Sequence, residues 1–168
     1  MGAGKSSVGK RLAEDLNGSF IDLDTRIEHK CKSTIQEIFD VEGEAFFRQT
    51  ESEVLTEIIL NHYDNIILSL GGGTLIKDEN RNVIKGKGIL IYLEASPEHL
   101  LKRIKADSSK RPLLENNKRD VELLTFIQKH LNERLQFYQK ADITINTENR
   151  TPEDIVKELK LSIKQRVN

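Results

Sequence analysis

Along the chain, short runs of consecutive apolar residues alternate with longer stretches in which apolar positions recur every three or four residues. The runs at 20–23, 66–70, 89–93 and 143–145 are rich in Ile or Leu and bounded by turn or cap residues, which predicts four strands. Apolar residues on successive positions suit strands covered on both faces, as in parallel sheets. The three-to-four spacing predicts helices over 5–16, 35–39, 45–60, 97–104, 121–138 and 152–167. Two of these starts are signposted, because Ser96-Pro97 and Thr151-Pro152 each set a capping hydroxyl before a proline at the first helical position, with an acidic residue next. Strand and helix in alternation predict an α/β fold with a mainly parallel sheet. The stretch 107–120 is polar around Lys110-Arg111-Pro112-Leu113-Leu114 without clear period, and reads as a mobile surface loop.

The bulk numbers narrow this picture. A length of 168 residues fits one domain, 1–168, and no repeat or Pro/Gly/Ser linker divides it. With 26 basic against 27 acidic side chains, no long-range positive field exists to gather nucleic acid or an anionic membrane surface. Cys31 is the single cysteine, so no intrachain disulfide framework is possible and a reducing compartment is expected. There is no apolar run long enough to span a bilayer and no signal-peptide pattern, so a cytoplasmic location is expected. His29, His62, His99 and His130 stand in separate segments, and no zinc site is expected.

The strongest chemical signal is at the start. Gly2-Ala3-Gly4-Lys5-Ser6-Ser7 carries all but the first glycine of the phosphate-loop pattern and runs directly into a helix. Glycines let successive backbone N–H groups curl round a polyphosphate, and the helix N-terminus turns its positive dipole end toward it. Lys5 would span the β- and γ-phosphates of ATP and the Ser6 hydroxyl would ligate Mg²⁺. A buried strand ordinarily feeds such a loop. Here the chain opens at the loop, so the first strand is expected to be missing from it: either upstream residues are left off, or the neighbouring strands expose their edges.

Two further segments follow strands. Asp22 and Asp24 are expected to present carboxylates at the C-terminal end of a strand, where ligands bind in open α/β sheets; the same pair also suits capping of a helix from Thr25. Gly71, Gly72 and Gly73 follow the run at 66–70, which permits either close approach of backbone to a ligand or an ordinary tight turn. On the helix at 121–138, Ile127, Leu131, Arg134 and Tyr138 follow 4, 3, 4 spacing, so Arg134 lies on an apolar stripe that should face inward. A cation there needs an anion, from a ligand or from an acid such as Glu133.

In order, Gly2-Ala3-Gly4-Lys5-Ser6, Asp22-Leu23-Asp24, Gly43-Glu44-Ala45-Phe46-Phe47-Arg48, Leu70-Gly71-Gly72-Gly73, Arg111-Pro112-Leu113-Leu114, and Glu133-Arg134 with Tyr138 resemble the shikimate kinase family over nearly the whole chain. The resemblance implies a three-layer P-loop kinase fold, with a mainly parallel sheet flanked by helices and a lid at about 107–120. It implies transfer of the γ-phosphoryl group of ATP to the 3-hydroxyl of shikimate, with Asp24 as base, Lys5 and Arg111 on the phosphates, and Ser6 and Asp22 on Mg²⁺. Arg48 and Arg134 match carboxylate-binding positions, although Glu51, three residues from Arg48, is a rival partner. Gly71, Gly72 and Gly73 would line the shikimate site. Gly2, Ala3, Gly4, Ser7, Arg103, Arg150 and Pro152 would contact the nucleotide. A monomer is expected, with ATP and shikimate as its small-molecule partners. A related kinase such as a gluconate kinase would share the fold, and a non-catalytic nucleotide or shikimate sensor would fit the missing strand.

Overall fold

The computed structural model describes residues 2–61, 65–108 and 117–167. They form two compact units, one over Ser6–Gly88 and one over Ile89–Asn168 joined by Met1–Lys5. Each is α/β.

In the first unit, helix α1 (Lys5–Asp15) buries Val8, Leu12 and Ala13 on one face. Strand β1 (Ser19–Asp22) pairs in parallel with β2 (Ile66–Ser69), Ser19 opposite Ile66 and Asp22 opposite Ser69. Between them run α2 (Leu23–Cys31), α3 (Ile35–Val41) and α4 (Gly43–Leu60). Helix α3 opens on a reciprocal cap in which Thr34 and Glu37 satisfy each other's backbone N–H. After β2 come a 3₁₀ turn (Thr74–Ile76) and the short α5 (Asp78–Ile84). Leu23, Ile27, Ile38, Phe47, Val54, Leu55 and Ile58 close the core, each worth about 1.5–3 kcal/mol of burial.

Two expectations change here. The strand expected over 20–23 ends at Asp22, because Leu23 and Ile27, one helical turn apart, are both fully buried in the core beside α4. Asp24 therefore stands in the first turn of a helix, not on a strand. Helix α5, with no apolar face to announce it, is fastened by buried Asn80, whose amide donates to the Thr74 carbonyl at 2.9 Å.

In the second unit, β3 (Ile91–Glu94) pairs in parallel with β4 (Ile143–Asn146), Ile91 opposite Ile143. Helices α6 (Pro97–Ser108), α7 (Asn117–Tyr138) and α8 (Pro152–Val167) accompany them. Ala95, Leu100 and Ile127 form one buried cluster, against which Ala3, Leu101, Ile104 and Leu123 pack. Both proline-led helix starts are as expected. Of the loop expected over 107–120, residues 107–108 belong to α6 and 117–120 to α7, and 109–116 lie outside the described residues. Among the described residues, no helix is long and apolar enough to cross a membrane.

Candidate active site

The opening loop has the geometry its glycines suggest. Gly2 has φ of 72° and Gly4 of 85°, left-handed values that cost a side chain about 1 kcal/mol or more and glycine almost nothing. Helix α1 starts at once with Lys5, so the N–H groups of its first turn, including those of Ser6 and Ser7, lack intrahelical acceptors. Those donors and the loop amides suit an anion. The back of the loop rests on α6: a Cβ on Gly2 would lie 3.2 Å from Ile104 Cγ1, and one on Gly4 would lie 3.7 Å from Arg103 Nη1.

Beside this start, Ser6 Oγ donates to Asp22 Oδ2 at 3.2 Å. The other Asp22 oxygen accepts the Asp24 N–H at 3.1 Å and caps α2. Asp22 is thus both a helix cap, as its plainer reading held, and the neighbour of the Ser6 hydroxyl. Two hard oxygen donors side by side fit Mg²⁺, which keeps most of its water and takes few protein ligands.

The Gly71–Gly73 segment is crowded by polar side chains. A Cβ on Gly71 would lie 3.0 Å from Glu51 Oε1, 3.1 Å from Asp24 Oδ1 and 3.1 Å from Thr74 Oγ1. One on Gly73 would lie 2.8 and 2.9 Å from the two terminal nitrogens of Arg48. The fold therefore brings Asp24, Arg48, Gly71 and Gly73 together, and the glycines are there because side chains need the room. The rival partner of Arg48 is also present: Arg48 Nη1 donates to Glu51 Oε2 at 2.9 Å, while Glu44 Oε1 lies 3.3 Å from its Nε and Nη2. Glu51 is only 1% exposed, and its other oxygen accepts from Thr74 Oγ1 at 2.6 Å. A buried carboxylate needs such partners, and in return it fixes the guanidinium plane.

Arg134 belongs to the other unit. Its helix stripe faces inward as predicted, with Ile127 buried. Glu133 is not its partner, since that carboxylate meets His130 Nδ1 at 3.2 Å. Arg134 is hydrogen-bonded to Tyr138, whose phenol burial pushes up against the pull of this cation. Tyr138 stacks on Tyr92 with ring centroids 4.9 Å apart. Arg134 Nε is buried with no hydrogen-bond partner among the described residues.

Of the other residues expected at the nucleotide, Arg103 donates to Thr147 Oγ1 and O and reaches the Gly2 carbonyl. Arg150 donates to the carbonyls of Asn146 and Asp154 and pairs with Glu158 at 2.6 Å. Pro152 opens α8, where Asp154 N–H donates to Thr151 Oγ1. Arg111 lies outside the described residues, as does His62. Thr74, Asn80 and Thr147 are among the buried polar residues that escaped the sequence reading. Their side chains carry no periodic signal, and their partners are supplied by folding.

The family model for shikimate kinase matches residues 1–164. The chain is 40% identical over 163 residues to the shikimate kinase of Alkaliphilus oremlandii, covering 97% of this chain and 94% of that one. It is 39% identical over 153 residues to that of Caldicellulosiruptor saccharolyticus, covering 91% and 85%. Among solved structures, shikimate kinase from Acinetobacter baumannii in complex with shikimate matches with a TM-score of 0.84 at 35% identity, over 100% of this chain and 91% of that chain. The enzyme from Bacteroides thetaiotaomicron matches with a TM-score of 0.86 at 35% identity, over 98% and 94%. With a P-loop kinase fold, and with both its sequence and its backbone matched along almost their whole length, this chain belongs to the shikimate kinase family of ATP-dependent phosphotransferases.

Proposed function

We propose that this chain moves the γ-phosphoryl group of ATP to the 3-hydroxyl of shikimate, giving shikimate 3-phosphate and ADP, as a monomeric single-domain enzyme of the cytosol. The observation that carries the residue assignment is the convergence of Asp24, Glu51 and Arg48 on the Gly71–Gly73 backbone. A base, an oriented cation and a close-approach backbone are the groups a small hydroxy acid requires.

Phosphoryl transfer has a loose transition state, so the protein's task is to position reactants and stabilise charge. Asp24 accepts a hydrogen bond from the attacking hydroxyl, aims its oxygen at the γ-phosphorus and takes its proton as the new O–P bond forms and the bond to the β–γ bridging oxygen breaks. Arg48 donates to the substrate carboxylate. Arg134 donates to it as well, and its buried, unpartnered Nε supports this role, because an orphaned donor costs about 1–3 kcal/mol until it finds an acceptor. Gly72 and Gly73 offer backbone N–H groups to a ring hydroxyl. Gly2, Ala3, Gly4, Lys5, Ser6 and Ser7 hold the phosphates, Arg111 adds positive charge to them, and Arg103, Arg150 and Pro152 shape the nucleotide side. Ser6 and Asp22 would hold Mg²⁺, Asp22 through bound water. Bound there, the ion neutralises phosphate charge.

An assay of ADP release with shikimate, gluconate or no acceptor tests the reading. Release that depends on shikimate is expected. Equal release with all three, or release only with gluconate, would overturn it.

A further inference from the structure

Two carboxylates of unlike standing share the Arg48 guanidinium. Glu51 has a side chain 1% exposed, and its two oxygens accept from Arg48 Nη1 at 2.9 Å and from Thr74 Oγ1 at 2.6 Å. Glu44, in the first turn of α4, has a side chain 68% exposed. It reaches Arg48 with a single oxygen, Oε1, 3.3 Å from both Nε and Nη2. Other neighbours hem the cation in: the Phe47 ring centroid is 5.0 Å from its Cζ, and a Cβ on Gly73 would lie 2.8, 2.9 and 3.0 Å from Nη2, Nη1 and Cζ. Every nitrogen of this guanidinium thus already donates to a protein acid, and a single N–H on each terminal nitrogen remains for a ligand.

A carboxylate arriving at Arg48 would be the third anion on one cation. Two negative charges at hydrogen-bond distance already outweigh the guanidinium, so a third gains little net attraction while both stay. Glu51 cannot leave, because a buried carboxylate stripped of its cation is strongly destabilising. Glu44 can, because water replaces its contact and an exposed ion pair is held weakly. We infer, resting on the reading of Arg48 as a contact to the substrate carboxylate, that Glu44 is an exchangeable counter-ion: it holds the Nε and Nη2 edge of Arg48 until the substrate carboxylate displaces it, and its charge limits how tightly that acid is bound. The phosphorylated product keeps the carboxylate and is held less tightly for the same reason.

Glu44→Gln removes the charge while keeping the shape and the helix propensity. In direct binding to the full chain, shikimate and shikimate 3-phosphate should each bind this variant roughly two- to fivefold more tightly than wild type, the scale of an exposed ion pair. The gain should shrink as added salt screens the charge. Methyl shikimate, whose ester carries no charge, should bind both proteins alike, and so should ATP. Weaker shikimate binding by the variant would make Glu44 a support that Arg48 needs, and unchanged binding would make it a bystander; either result overturns the inference. An equal gain for the ester would show the charge acting on something other than the carboxylate, with the same consequence. Failure of the underlying reading would show in the wild type instead, as equal affinity for shikimate and its methyl ester, and would take the inference with it.

Discussion

Arg48 of one unit is held in the opposite way to Arg103 and Arg134 of the other. In Ser6–Gly88, Arg48 is clamped by a buried carboxylate, Glu51, which Thr74 fixes in turn. In Ile89–Asn168, Arg103 is held by carbonyls and a hydroxyl, and Arg134 by a phenol with one nitrogen left over. A carboxylate partner orients a guanidinium strongly but cancels much of its charge, whereas neutral oxygens orient it and leave the charge available. The first arrangement suits placing a small acid accurately. The second leaves charge and, at Arg134 Nε, an unpartnered donor for an incoming anion.

The sharpest break in this contrast would come from the base. Asp24→Asn should lower kcat by about 10²- to 10⁴-fold while ATP affinity stays within about twofold; retained turnover would remove Asp24 from its role. Next in size is Gly73→Ala. The φ of −103° at Gly73 suits any residue, so the only penalty is the clash with the Arg48 fork, and KM for shikimate should rise roughly tenfold with KM for ATP unchanged. An unchanged shikimate KM would mean that Arg48 does not work from this position. Thr74→Val strips a hydrogen bond from a buried carboxylate, which should cost about 1–3 kcal/mol and lower Tm by about 2–4 °C for each of those. It should raise KM for shikimate severalfold and spare ATP; a matching rise for ATP would erase the division between the units.

The smallest effects compare one acid in each unit, exposed Glu37 and half-buried Glu148. Hydrogen bonds from Ser96 hold Glu148 below the ordinary glutamate value of 4.5, and those from Thr34 do the same for Glu37. A depressed carboxylate contributes stability that is full above the ordinary value and is lost as pH falls through the lower folded one. Glu148→Gln and Glu37→Gln should each flatten the acid limb of urea-midpoint stability below about pH 5. Acid limbs identical to wild type would show that neither bond matters.

What was legible was mostly local. The loop-to-helix start at Lys5 follows from glycines and an amphipathic run, and the helices opened by Pro97 and Pro152 follow from their caps. The inward stripe of α7 was legible from spacing alone. Helix α2 was not, because it follows β1 without a spacer and its buried residues, Leu23 and Ile27, fill a single turn. Helix α5 was illegible for another reason: its seven residues are mostly polar, and its bonds run back to Thr74, Leu75 and Ile76. Among the site residues, the sequence offered Glu51 only as a competitor for Arg48. Burial turned it into a support.

The order of residues thus determined the family, the α/β alternation and which side chains have the chemistry for phosphoryl transfer, because periodicity, caps and glycine spacing are properties of neighbours. Tertiary structure decided what each charged group faces. Glu51 meets Thr74 across 23 residues, and Arg103 meets Thr147 across 44 and Gly2 across 101. Such partners are chosen by burial, which obliges every enclosed polar group to find an acceptor or donor wherever in the chain it lies.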